Sequence, residues 1–116
     1  MSVVALVTDL LFGTKIRSTG EAVGVPVRMV RSMPDLLAGA QGARLALIDL
    51  NAIGVDPVEA IKQLRAMPTP PRILGYLSHV QHELAQAAQG AGADEVMPRS
   101  RFSTDLPGIL EAAKQQ

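Results

Sequence analysis

Two aspartates stand where chemistry can gather. Asp9 follows the apolar run Val3–Val7, and Asp49 comes late in the run Leu45–Leu50. Continuous apolar runs of this length read as buried parallel strands. In open α/β sheets, function collects at the carboxyl ends of the strands. Neighbouring strands are about 4.8 Å apart. Two carboxylates at adjacent strand tips can therefore share a hard cation such as Mg2+, which takes oxygen ligands. Taken singly, Asp9 is a helix cap and Asp49 a strand-end turn residue; with few other charges near them, the pair points to a site.

Other chemistry-bearing residues carry less. His79 and His82 are three apart at a helix start and could bind a metal with Glu83, but no further ligand is evident and a polar helix face explains them. Ser78 beside His79 makes no triad. Gly13-Thr14-Lys15 lacks the upstream glycine and the Gly-Lys-Ser/Thr order of a phosphate loop. Gly39 and Gly42 follow no strand, so they read as a helix-terminating loop.

The elements that must position these residues alternate along the chain. A helix is predicted over Phe12–Val23, with Phe12, Ile16 and Val23 on one face and Gly24 ending it. Val27–Val30 reads as an edge strand, and Ser32 caps a short helix with Pro34 and Asp35 in its first turn. Asp56-Pro57-Val58-Glu59 is a strong helix start, continued by Ile61 and Leu64 to about Met67. Pro68-Thr69-Pro70-Pro71 breaks that helix. Ile73–Leu77 is a fourth strand, and Ser78 is placed to cap a fourth helix ending in Gly90-Ala91-Gly92. Glu95–Met97 is a short fifth strand. A last helix is expected from near Ser103-Thr104-Asp105 to about Lys114. Tyr76 reads as core, and Phe102, between Arg101 and Ser103, is a candidate for exposure in a partner site. Repeated βα units predict one α/β domain over residues 1–116: a five-stranded parallel sheet in the order 2-1-3-4-5, in a flavodoxin-like three-layer sandwich.

Composition narrows the function. Eleven basic residues balance 11 acidic ones, for a formal net charge of zero. That argues against a nucleic-acid partner, which calls for a basic excess. With no cysteine, thiol chemistry, Cys-based zinc sites and disulfides are excluded. The N-terminal run has no basic segment before it and no run approaches the roughly 20 apolar residues of a membrane span. A soluble, cytoplasmic protein that does not meet the membrane is expected.

Several stretches together resemble the receiver domain of bacterial response regulators. Asp49-Leu50-Asn51 resembles the family's phosphoacceptor aspartate, followed two positions later by the residue whose backbone carbonyl binds Mg2+. Asp56-Pro57-Val58-Glu59-Ala60-Ile61-Lys62-Gln63-Leu64-Arg65 resembles its "DGLELLKxIR" segment at the same offset. Pro70-Pro71-Arg72-Ile73-Leu74 resembles the entry to its fourth strand. Gly90-Ala91-Gly92-Ala93-Asp94-Glu95-Val96 resembles the "AxxAGAxGY" run, and Asp9 falls on the second member of its acidic pair. The resemblance implies Asp49 as phosphoacceptor, Ser78 and Arg99 as phosphate contacts, and Asp9, Asp49 and the Asn51 carbonyl as ligands of a Mg2+ cofactor.

The chain also departs from that pattern. Thr8 replaces one carboxylate of the acidic pair. The hydroxyl residue ending strand four falls on Leu77 or Ser78. Arg99 stands for the family's lysine and Ser100 for the following proline, with Pro98 one place early. Val96 takes the place of an aromatic, and Ile53 that of a proline. The resemblance implies a stand-alone signalling module, not a metabolic enzyme, that binds a protein partner (a histidine kinase or a downstream regulator) as a monomer or weak homodimer. The departures leave two alternatives: a phosphorylation-independent pseudo-receiver, and a small-ligand-binding flavodoxin-like protein.

Overall fold

The computed structural model describes residues 2–78 and 81–114. Five strands and five helices alternate: β1 (Val3–Leu6), α1 (Leu10–Val23), β2 (Val27–Val30), α2 (Met33–Ala40), β3 (Leu45–Asp49), α3 (Pro57–Arg65), β4 (Arg72–Leu77), α4 (His82–Ala91), β5 (Glu95–Pro98) and α5 (Arg99–Lys114). All strand pairs are parallel and the order is β2-β1-β3-β4-β5, as the repeated βα pattern predicts.

Side-chain alternation along each strand divides the core into two layers. Val3 and Ala5 of β1, Leu45 and Leu47 of β3, and Leu74 and Tyr76 of β4 pack with Phe12, Ile16, Phe102, Leu106 and Leu110 of α1 and α5. Val4, Leu6, Ala46, Ile48, Ile73 and Leu77 pack with Leu36, Ile61, Leu64 and Ala88 of α2, α3 and α4. Because every strand but the edges is covered on both faces, β1 and β3 carry uninterrupted apolar sequence.

The local starts and stops follow the sequence closely. Asp9, Ser32 and Asp56 each accept backbone N–H groups at the start of α1, α2 and α3. Gly24 closes α1 in the left-handed region at φ 77°.

Three expectations need correction. Ser78 does not cap α4: that helix begins at His82, after Gln81, and its first residue receives no side-chain cap. Residues 79 and 80 lie outside the described residues, and the proposed His79–His82 metal pair with them. The last helix starts at Arg99, four residues before Ser103, because its buried stripe of Phe102, Leu106, Leu110 and Ala113 begins upstream of the apparent cap. Pro107 therefore sits inside α5 instead of in its first turn. Phe102 is fully buried and not a surface contact. Among the described residues, no helix is long and apolar enough to cross a membrane.

Candidate functional site

Strand order decides the site. β1 and β3 are parallel neighbours in the sheet, so Asp9 and Asp49 emerge at the same carboxyl end of it. A cavity of about 290 Å3 there is lined by Thr8, Asp9, Asp49, Asn51, Ile53, Ser78 and Arg99. Every site residue expected from the sequence thus reaches one opening. A larger cavity of about 510 Å3 lies at the opposite end of the sheet, beside α5. Arg72 and Glu95 on its wall neutralise each other at 3.0 Å.

Asp49 ends β3 and is buried, 7% exposed. Its Oδ1 accepts the Asn51 backbone N–H at 2.9 Å. Burial pushes its carboxyl above the ordinary carboxylate range, and the neighbouring Asp9 adds to the rise. The Asn51 N–H and the Arg99 charge oppose it. A strand-tip carboxylate with perturbed ionisation, inside a cavity, makes Asp49 a candidate functional group.

Asp9 is tied on both oxygens. Oδ1 accepts the N–H groups of Leu11 (3.0 Å) and Phe12 (3.1 Å), capping α1. Oδ2 accepts from Nη2 of Arg99 at 3.0 Å. The Phe12 N–H holds this carboxyl below the usual carboxylate range; burial opposes it, and the Arg99 hydrogen bond and charge and the Leu11 N–H restore the lowering. Arg99 is the first residue of α5, and its guanidinium carbon lies 4.2 Å above the centre of the Phe12 ring. Phe12 therefore serves both partners, one through its backbone and the other through its ring.

Asn51 and Ser78 join two loops. The Asn51 side-chain oxygen accepts from the Ser78 N–H (2.8 Å) and hydroxyl (3.0 Å), and its amide donates to Gln81 at 3.0 Å. Thr8, in place of a carboxylate, accepts the Ile53 N–H at 2.9 Å and so holds the loop after β3. Its role has no local sequence signal, since its partner is 45 positions away.

Tyr76 is the residue that sequence reasoning placed in the core without linking it to the site. It is paired with Asp49 in the β3–β4 register and points to the same face of the sheet. The hydroxyl-bearing residue beside Asp49 on β4 is therefore Tyr76, whereas Leu77 is buried on the other face and Ser78 lies at the rim. The Tyr76 ring stacks on Phe102 (centroids 4.4 Å apart) and tilts against Phe12 at 5.1 Å. Its hydroxyl is buried with no hydrogen-bond partner among the described residues. Burial, and after it the Asp49 charge, pushes its ionisation far up.

Mg2+ demands a near-octahedral oxygen shell, and the residues as arranged do not fit one. Both Asp9 oxygens are engaged and a guanidinium already lies against that carboxylate. Thr8 offers a hydroxyl that is already an acceptor. Among the described residues, no group of three or more His, Cys, Asp or Glu side chains could hold a metal.

No protein-family model matches the chain, and neither does any curated protein sequence. Solved structures do match. The beryllofluoride-activated receiver domain of DrrB superposes with a TM-score of 0.80 at 14% identity, covering 100% of this chain and 99% of that one. The signal receiver domain of the putative response regulator NarL from Mycobacterium tuberculosis gives 0.79 at 20% identity, covering 98% and 96%. The receiver domain of NtrX from Brucella abortus gives 0.83 at 15% identity, covering 98% of each. Over its whole length, with five parallel strands in the order 2-1-3-4-5 and an aspartate at the tip of β3, the chain has the fold of a response-regulator receiver domain.

Proposed function

We propose that this chain is a receiver-type signal-transduction module that acts through a protein partner, a histidine kinase or a downstream regulator, with Asp49 as its phosphoacceptor. One observation carries the reading: Asp49 is the only buried charged side chain among the described residues, and it shares the strand-tip cavity with Arg99. In the proposed step a carboxylate oxygen of Asp49 attacks the phosphorus of a phosphohistidine donor. The P–N bond breaks, an acyl phosphate forms, and the imidazole leaves with the bonding pair and takes up a proton. Arg99 lies on the cavity wall, where its remaining N–H groups can meet the phosphoryl oxygens. Ser78, which also lines the cavity, is the second contact in this reading, its hydroxyl turning from Asn51 to a phosphoryl oxygen.

The partner is expected at the mouth of this cavity. Leu10 and Leu11, directly after Asp9, are 71% and 85% exposed, and Ile53 on the cavity wall is 82% exposed. Large apolar side chains left in water beside a charged cleft suit an interface core with a polar centre.

A second reading, a phosphorylation-independent binding module on the same scaffold, is favoured by the closed Phe12–Tyr76–Phe102 cluster beneath the site. Incubation with acetyl phosphate followed by intact-mass measurement separates the two. The phosphoacceptor reading expects one added phosphoryl group in the wild type and none in Asp49→Asn. No addition to the wild type, with the exposed Leu10–Leu11–Ile53 surface still binding its partner, would leave the second reading.

A further inference from the structure

We propose that Arg99 is the resident cation of this site: its guanidinium holds the Asp9 carboxylate oxygen that a divalent metal would need, so Asp9 is neutralised without metal. Four observations converge. Arg99 Nη2 is 3.0 Å from Asp9 Oδ2, the carboxylate oxygen that the α1 cap leaves over. The guanidinium is held in place from below by the Phe12 ring, 4.2 Å from its carbon. Thr8 supplies no charge at the neighbouring position, and its hydroxyl oxygen already accepts the Ile53 N–H. The cavity wall therefore carries two carboxylates, Asp9 and Asp49, against one guanidinium, a net of one negative charge.

Physical chemistry favours the incumbent. A planar guanidinium is weakly hydrated, permanently charged and able to stack on an aromatic face. Mg2+ is reluctant to shed its water. Inside a partly buried cavity, a dication would also be repelled by the guanidinium a few ångströms away. A single charge supplied by the chain meets the same carboxylate with no dehydration of an ion from solution. The Arg99–Asp9 pairing is the same whether or not Asp49 accepts a phosphoryl group.

The test is a Mg2+ titration of the full chain followed by amide NMR, with Mn2+ line broadening as a second probe. The wild type is expected to show no saturating shift and no selective broadening at residues 8–11 and 49–53. Arg99→Gln is expected to gain saturable binding at those residues, with a midpoint at least about tenfold below the highest Mg2+ concentration at which the wild type shows none. Arg99→Met, which keeps an apolar stem over Phe12 and drops the charge, is read in the same way if the glutamine variant does not fold. Saturation of the wild type at low millimolar Mg2+, with shifts centred on Asp9 and Asp49, overturns the proposal. So does a folded neutral variant that binds either ion no better than the wild type.

Discussion

Asp49 sits in a position that costs the fold something at neutral pH. Its carboxyl is raised above the ordinary value of 3.8 mainly by burial. The folded chain therefore holds a proton on Asp49 more tightly than the unfolded chain does. Stability falls as pH rises from the ordinary value through the raised one, and the full cost is present above both. Asn can accept the Asn51 N–H through its own Oδ1. Asp49→Asn is thus expected to be more stable than the wild type at pH 7, with a gain that shrinks on acidification and vanishes below 3.8. Urea midpoints measured across that pH range check this; a constant difference would mean that burial of charge is not the cause. Tyr76 makes a parallel case without titration. Its hydroxyl is buried and unpartnered, and such a group costs about 1–3 kcal/mol. Tyr76→Phe keeps the stack on Phe102 and is expected to raise stability by about 1 kcal/mol. A loss of stability in denaturant titration would reveal a hydrogen bond from the phenol. At this scale the two aspartates were legible, because each ends an apolar run. The occupation of Asp9 by Arg99 was not, since 90 positions separate them and only the β5–α5 junction brings them together.

At the scale of elements, strand three and helix one carry the site. β3 lies between β1 and β4, and Ile48 within it is fully buried among Leu36, Ile61 and Leu64. Ile48→Ala is expected to cost roughly 2–5 kcal/mol through the cavity it leaves. A midpoint shift worth less than about 1 kcal/mol would mean that this layer can collapse onto the gap. α1 approaches the chain before β2 more closely than a side chain permits. A Cβ on Gly20 would stand 2.4 Å from the Val25 carbonyl oxygen, which is backbone and cannot swing away. Gly20→Ala is therefore expected to destabilise by about 1–3 kcal/mol despite the better helix propensity of alanine. Thermal unfolding decides the sign: stabilisation would mean that α1 can tilt off the sheet. The capping residues of α1, α2 and α3 were readable because they act within three positions of themselves. The start of α5 was not. Ser103-Thr104-Asp105 has the residue types of a cap, but burial of Phe102 against Tyr76 extends the helix upstream of it.

At the scale of the whole molecule, the question is whether a charge placed on Asp49 would move anything. A ligand shifts an equilibrium only through contacts that differ between two states, and a full shift needs several kcal/mol of such difference. Ser78 is already bonded to Asn51, Tyr76 is stacked between buried rings, and Val96 stands where the resemblance places an aromatic reporter. The domain is expected to respond weakly. Amide NMR with beryllofluoride and Mg2+ should show shifts confined to the loops around Asp9 and Asp49, or none. Large shifts spreading from Asp49 into residues 78–102 would establish a working switch. What the sequence determined alone was periodic or local: continuous apolar runs for β1 and β3, helix caps within one turn, βα repetition and hence a parallel sheet with two aspartates at its carboxyl end. What tertiary structure decided was pairing across distance. The β3–β4 register set Tyr76 beside Asp49, and the β5–α5 junction laid Arg99 on Phe12 and Asp9. The physical reason is that burial and hydrogen bonding within an element leave a pattern of period two or 3.6 in the chain. A contact between elements leaves none, because it depends on which strands become neighbours and on how far each one runs.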